Sequence, residues 1–221
     1  MRVDIAKGIL EKNDTLAEGN RELFAQKGVF VVDLMASPGA GKTSTILATI
    51  AALRDRYRIA VIEGDIASRV DAEKIAAHGI PAVQINTGGA CHLESDMIRR
   101  AVDTLDLDEI DLLIIENVGN LVCPTDFDLG EHAKVMILSV PEGHDKPYKY
   151  PGIFQLSEAV ILNKYDTVSF FDFNEEEFRG VVHDLNPNAP VFAMAATKGE
   201  GVDAWAEWLA ARIEAAKAVG A

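Results

Sequence analysis

Three side chains in this sequence carry ligand chemistry that sets them apart. The chain has two cysteines; Cys91 stands beside His92 just after a glycine pair in TGGACHLESD, and Cys123 follows DLLIIENVGNLV. Thiolate and imidazole are donors that suit Zn²⁺ and Ni²⁺. One copy offers two sulfurs and one such imidazole, so a closed tetrahedral shell needs water, another side chain or a second molecule. A two-fold dimer would meet that need, with cysteines and histidines paired across its axis. The spacing leaves two other readings open. The thiols can pack as small hydrophobes beside a loop histidine, or form a reversible disulfide, which a reducing cytoplasm disfavours.

A second group of residues points to a nucleotide. In VFVVDLMASPGAGKTSTILATI an apolar run meets a small-residue loop and then a helical pattern opening on Lys-Thr. Pro38, Gly39, Ala40 and Gly41 let the backbone wrap a phosphate chain, and its N–H groups with the helix start at Lys42–Ser44 supply positive potential. Lys42 suits the β- and γ-phosphates and the Thr43 hydroxyl suits Mg²⁺. The usual first glycine is replaced by Ala36, which serves if its φ stays negative. Downstream, NKYD follows the run AVILNK. Asp166 can accept both N1–H and N2–H of guanine, Asn163 can brace the loop or reach N7, and the Lys164 stem can cover the base. In AMAATKGEG, a backbone N–H at Ala195, Ala196 or Thr197 can meet guanine O6, although the serine usual there is missing.

Asp65 ends RIAVIEGD and Glu116 ends DLLIIEN, so both carboxylates suit a magnesium site near the phosphate loop. Gly119 stands where a backbone N–H can sense a γ-phosphate, and Asp71 is a further acidic candidate. No glutamine or arginine declares itself as an activator, which predicts slow hydrolysis.

The elements that must position these residues follow from periodicity. Residues 2–27 read as an amphipathic helix packed on the domain edge. Residues 28–221 read as one domain of P-loop type. In it the short apolar runs VFVVDLM, RIAVIEG, PAVQIN, DLLIIENV, KVMILSV, AVILNK and PVFAMAA alternate with helical patterns. Continuous apolar runs suit parallel strands buried on both faces, and the alternation predicts a doubly wound α/β fold with a mainly parallel sheet and helices on both faces. Residues 142–152, EGHDKPYKYPG, read as the most loop-like interior stretch, with Lys146 and Lys149 read as a solvated loop ahead of a contact to a partner.

The formal charge of −14 in 221 residues repels phosphodiester backbones and argues against general nucleic-acid binding. No apolar run reaches the ~18 residues of a membrane span, no signal-peptide core stands at the start, and two cysteines make no disulfide framework. A cytoplasmic protein is expected.

Taken in order, ASPGAGKT, EGD, GACHLESD, ENVGNLVCP and NKYD resemble the hydrogenase nickel-incorporation GTPases, the HypB family within the SIMIBI class of P-loop GTPases. The likeness covers nearly the whole chain. The urease accessory GTPase is a cousin with a different metal motif. The resemblance implies a homodimer that binds GTP and GDP with Mg²⁺ and helps deliver Ni²⁺ during maturation of nickel–iron hydrogenase. It implies a zinc-containing HypA-type metallochaperone as partner and the hydrogenase large-subunit precursor as indirect recipient. It also implies that Cys91, His92 and Cys123 form a Ni²⁺ or Zn²⁺ site at the dimer interface, sensitive to nucleotide state. Some members carry an N-terminal cysteine-rich nickel motif or a histidine-rich stretch; neither stands in this sequence, so high-affinity nickel storage is not carried over. Two rival readings are a small-molecule P-loop kinase, against which NKYD speaks, and a constitutive dimer clamped by zinc.

Overall fold

A computed structural model describes residues 5–65 and 74–220; Asp71 and the start of the expected helix DAEKIAAHG lie outside the described residues. Seven strands form one sheet: β1 (Phe30–Ala36), β2 (Ile59–Asp65), β3 (Ala82–Asn86), β4 (Leu112–Glu116), β5 (Ala133–Ser139), β6 (Ala159–Asn163) and β7 (Val191–Ala193). Their spatial order is β3-β2-β4-β1-β5-β6-β7, and every adjacent pair is parallel. The expected doubly wound α/β fold is therefore the one observed. Strand β1 lies centrally, with Leu34 opposite Glu116 of β4 and Ala36 opposite Ile137 of β5.

Side chains alternate across β1, and each face buries against different helices. Val32 and Leu34 pack with Ile46, Ile50 and Leu53 of α2 (Lys42–Leu53) and with Trp205, Leu209 and Ile213 of α7 (Val202–Gly220). On the other face, Val31 meets Phe24 of α1 (Ile5–Lys27) and Ile98 of α3 (Ser95–Val102). Met35 joins a third apolar group with Ile153 and Phe154 of α5 (Pro151–Leu156) and Phe178 and Val182 of α6 (Glu175–Leu185). With helices on both faces, the interior strands carry apolar residues without polar alternation. The edge strands β3 and β7 are only half-buried, except for the exposed Asn86 that ends β3.

The segment 142–152 is more ordered than its composition suggests. A 3₁₀ turn at Val140–Glu142 precedes α4 (Lys146–Lys149), and α5 follows directly. Pro147 and Pro151 sit in the first turns of these helices, where a missing N–H costs no intrahelical bond. Sparse apolar periodicity therefore concealed two short helices. No helix among the described residues is long and apolar enough to cross a membrane.

Helix α1 is bolted down by buried amides. Asn13 donates to the Asp128 carbonyl at 2.8 Å and accepts from Ser95 N at 2.9 Å. About two turns further along, Asn20 donates to the Ser95 and Leu129 carbonyls, each at 3.0 Å, while Arg99 returns a bond to its oxygen at 2.9 Å. Gly130 makes this close approach possible. Its φ is +89°, and a Cβ there would lie 2.6 Å from the Ala17 carbonyl and from Asn20 Cβ.

Gly130→Ala should accordingly destabilise the fold by about 1–3 kcal/mol, the usual range for a forced backbone conformation, with a further cost from displacing α1. Urea unfolding followed by circular dichroism measures it; a midpoint equal to that of the parent would show that α1 does not depend on this contact.

Candidate functional site

The phosphate-type loop lies between β1 and α2, at the carboxyl edge of the sheet. Gly41 caps α2 in a left-handed conformation, φ 101° and ψ 33°, and its carbonyl takes the first helical bond from Thr45 N at 2.9 Å. Gly39 also has positive φ, at 79°. Ala36 is the last residue of β1, and Lys164 is the one described non-glycine residue with positive φ, so alanine meets the condition set for it. Pro38 and Gly39 are exposed, Ala40 is buried, and Lys42, Thr43 and Ser44 are half-buried along the first turn of α2.

The NKYD residues grip this loop from the end of β6. Asn163 donates from Nδ2 to the Ala40 carbonyl at 3.0 Å and accepts the Ala196 N–H at Oδ1, 3.2 Å. Of its two expected roles, it takes bracing. The Ala196 N–H expected to face a base is thus engaged with Asn163, while Thr197 beyond it is exposed. Lys164, with φ 56°, stretches over the loop and donates to the Gly39 carbonyl at 2.7 Å. Asp166 pairs with Lys198 at 3.0 Å. A purine held by Asp166 would share that carboxylate with Lys198 or displace it.

On the other side, Thr43 Oγ1 lies 3.2 and 3.3 Å from the two Glu116 oxygens. Asp65 ends β2, whose register pairs Glu63 with Glu116. A hydroxyl and two carboxylates around one strand edge are hard oxygen donors and fit a magnesium ion. Gly119 packs on Pro38 of the phosphate-type loop so tightly that a Cβ would lie 3.0 Å from it. Segment 116–119 therefore touches that loop directly.

Beyond that segment, one ligand atom each from Cys91, His92 and Cys123 lies within 4.8 Å of the others. The two Sγ atoms are 2.8 Å apart, and both cysteines are free. Contact with the Cys91 thiol pushes the Cys123 thiol above its ordinary range. His92 Nε2 is buried with no hydrogen-bond partner, and Glu94 stands 3.6 Å away, beyond hydrogen-bond reach. The other ring nitrogen, Nδ1, lies 3.7 Å from Cys91 Sγ, and an imidazole beside two thiols is a donor set that suits a Zn²⁺ or Ni²⁺ ion. Asn120 orients the far side, donating to Cys123 Sγ at 3.4 Å and accepting the Val122 and Cys123 N–H groups.

Several residues around this site escaped the reading of motifs. Phe127 stacks on His92, with ring centroids 3.8 Å apart. Glu142 accepts from Ser37 of the phosphate-type loop and from Ser139. Asp33 is fully buried in β1, where it accepts from Asn117 at 3.1 Å and from Lys134 at 3.4 Å. Burial pushes the Asp33 carboxyl up to about 6, against the downward pull of Lys134. For Lys134, burial opposes the charge, but Asp33 and Glu131 outweigh it and raise its pKa. The available signal was the lone acid in VFVVDLM, since a charge inside a buried strand needs a partner.

Comparison with known proteins adds to the geometry. Residues 30–193 match the family model described as CobW/HypB/UreG, nucleotide-binding domain. Hydrogenase maturation factor HypB from Escherichia coli K12 is 45% identical over 207 residues, covering 94% of this chain and 71% of that protein. The crystal structure of HypB from Helicobacter pylori in complex with nickel superimposes with a TM-score of 0.87 at 40% identity, over 92% of this chain and 95% of that one. HypB from Archaeoglobus fulgidus gives 0.86 at 36% identity, over 92% and 99%.

The left-handed cap at Gly41 yields a sharp expectation. A Cβ there would lie 2.3 Å from Asn163 Nδ2 and sit on a backbone with φ 101°. Gly41→Ala should weaken nucleotide binding by about ten- to hundredfold, matching a strain of about 1–3 kcal/mol. Titration with a fluorescent guanine nucleotide reads the loss, and undiminished affinity would mean that the loop reshapes freely.

Proposed function

The chain belongs to the CobW/HypB/UreG nucleotide-binding family and, within it, to the HypB maturation factors; from this premise we propose that it is a GTP-hydrolysing metallochaperone. It helps insert nickel during maturation of nickel–iron hydrogenase. Its Cys91–His92–Cys123 site lies at a homodimer interface and responds to nucleotide state. The observation that carries this reading is the cluster of two thiols and an imidazole, joined through one short segment to the carboxylate facing Thr43.

In this reading residues 28–221 form the GTPase domain and residues 1–27 a helix packed on it. Gly39, Ala40, Gly41 and Ser44 wrap the phosphates, with Pro38 at the turn, and Lys42 reaches the β- and γ-phosphates. Thr43, Asp65 and Glu116 hold Mg²⁺, some of them through water; when bound, that ion offsets charge developing on the phosphates. Gly119 offers its N–H to the γ-phosphate. Asp166 accepts the two guanine N–H groups, Lys164 covers the base, Asn163 keeps the loops together, and Ala196 and Thr197 border the base. Nothing supplied by these residues orients a water as an activator would, so turnover by the isolated chain is slow.

The nickel ion is cargo. Three donors in one chain leave the shell open, and a second copy related by two-fold symmetry completes it. The same donors accept Zn²⁺, which gives a resting occupant. A relative's crystal structure in complex with nickel supports the ion chosen. The setting is cytoplasmic, where reduced thiols persist. A HypA-type nickel and zinc metallochaperone exchanges the ion with this site, and the hydrogenase large-subunit precursor receives it indirectly. No nucleic acid and no membrane take part.

Two tests bear on separate halves of this reading. Asp166→Asn should lower GTP affinity about ten- to hundredfold, the loss of a charge-assisted contact of about 1.5–3 kcal/mol, and shift preference towards xanthosine triphosphate. An unchanged guanine preference would remove Asp166 from the base site. For the metal half, Ni²⁺ and Zn²⁺ titrations and mass determination are run with GDP and with a non-hydrolysable GTP analogue. Cys91→Ala and Cys123→Ala should each lose the ion while still binding nucleotide. Identical mass and metal affinity in both nucleotide states would leave a GTPase without the switch.

A further inference from the structure

The proposed coupling between nucleotide and metal needs a physical link, and this inference rests on that reading. We infer that Asn117 is the positioning residue that ties the metal loop to the nucleotide-facing segment, through one buried carboxamide bonded to both.

Asn117 directly follows Glu116, the residue that accepts from the Thr43 hydroxyl. It is almost fully buried, and its backbone N–H donates to the Leu34 carbonyl of β1 at 3.1 Å. Its Nδ2 lies 3.1 Å from both oxygens of Asp33. An ionised carboxylate only accepts, so the amide must present its NH₂ group to Asp33 and its oxygen to the opposite side. That oxygen accepts two backbone N–H groups, Val118 at 2.9 Å and Leu93 at 3.3 Å. Val118 belongs to the segment facing the phosphate-type loop; Leu93 directly follows His92.

Leu93 is also clasped from β2. A Cβ at Gly64 would come within 2.8 Å of its side chain, and Gly64 directly precedes Asp65. The Asp33 end of the link extends further. Lys134 contacts Asp33, pairs with Glu131 at 2.8 Å and donates to the Phe127 carbonyl at 2.9 Å. The Phe127 ring is the one stacked on His92. Two routes from Asn117 thus converge on the same imidazole, one by the Leu93 backbone and one by the Phe127 ring. The contact to Leu93 is the longest of the four the carboxamide makes, so it is the one that yields first when residues 116–119 shift.

The test uses the full chain and a cycle of variants. Zn²⁺ affinity is measured with GDP and with a non-hydrolysable GTP analogue for the parent, Asn117→Ala, and the exchanged pair Asp33→Asn with Asn117→Asp. In the exchanged pair a carboxylate at 117 still accepts from Leu93 and Val118, and the amide at 33 donates to it. The parent should show affinities differing by about 5–150-fold between nucleotides, the usual span of allosteric coupling. Asn117→Ala should bind both ligands with that ratio reduced to within about twofold of one, and the exchanged pair should recover it. A merely structural role would lower the melting temperature without altering the ratio. Hydrogen exchange at the Leu93 amide gives a reading that needs no substitution: its protection should change between the two nucleotide states in the parent. A coupled parent with an equally coupled Asn117→Ala, or with Leu93 protection unchanged, overturns the link alone. A parent ratio of one overturns the coupling itself.

Discussion

Parallel strands all end on the same side of a sheet, and that directional constraint organises the chemistry of this molecule. β1 runs into the phosphate-type loop, β2 ends in Asp65, and β3 leads to Cys91 and His92. β4 ends in Glu116 and continues to Cys123, while β6 and β7 lead to Asn163–Asp166 and Ala196. No local bending is needed to assemble these groups. The crossovers that parallel pairing demands bury both sheet faces, leaving strand interiors for apolar residues and strand ends for polar ones. Ligand sites in open α/β sheets gather at this edge, where the strand order departs from the chain order.

The buried acid in β1 departs from that division. Removing a carboxylate from water is costly, and Asp33 is tolerated because an amide and an ammonium meet it there. Such a network contributes less to net stability than to geometry, since each member accepts only certain partners in certain directions. In this protein its members come from β1, from the end of β4 and from the start of β5.

How much of this was legible in the sequence depended on the range of the interaction. The strands declared themselves as short apolar runs, and the phosphate-type loop by small residues before Lys42 and Thr43. The segment 142–152 did not, since the two short helices that it holds or begins are fixed by proline placement and packing instead of apolar periodicity. Asn117, Phe127 and Glu142 were invisible for another reason. Their partners Asp33, His92 and Ser37 are 84, 35 and 105 residues away, and no local pattern encodes a contact at that distance. The donor trio Cys91, His92 and Cys123 was named from residue type, while its closeness in space depends on β3 and β4 both flanking β2.

The buried asparagines of α1 bear on the order of assembly. Asn13 and Asn20 hold Ser95 together with residues 128 and 129, contacts that span up to 115 residues. The ribosome makes α1 before any of these partners, so its amides cannot close their bonds until residue 129 has been added. Closing such long loops comes late in folding. Until then α1 cannot clamp the chain segments that follow His92 and Phe127 against each other.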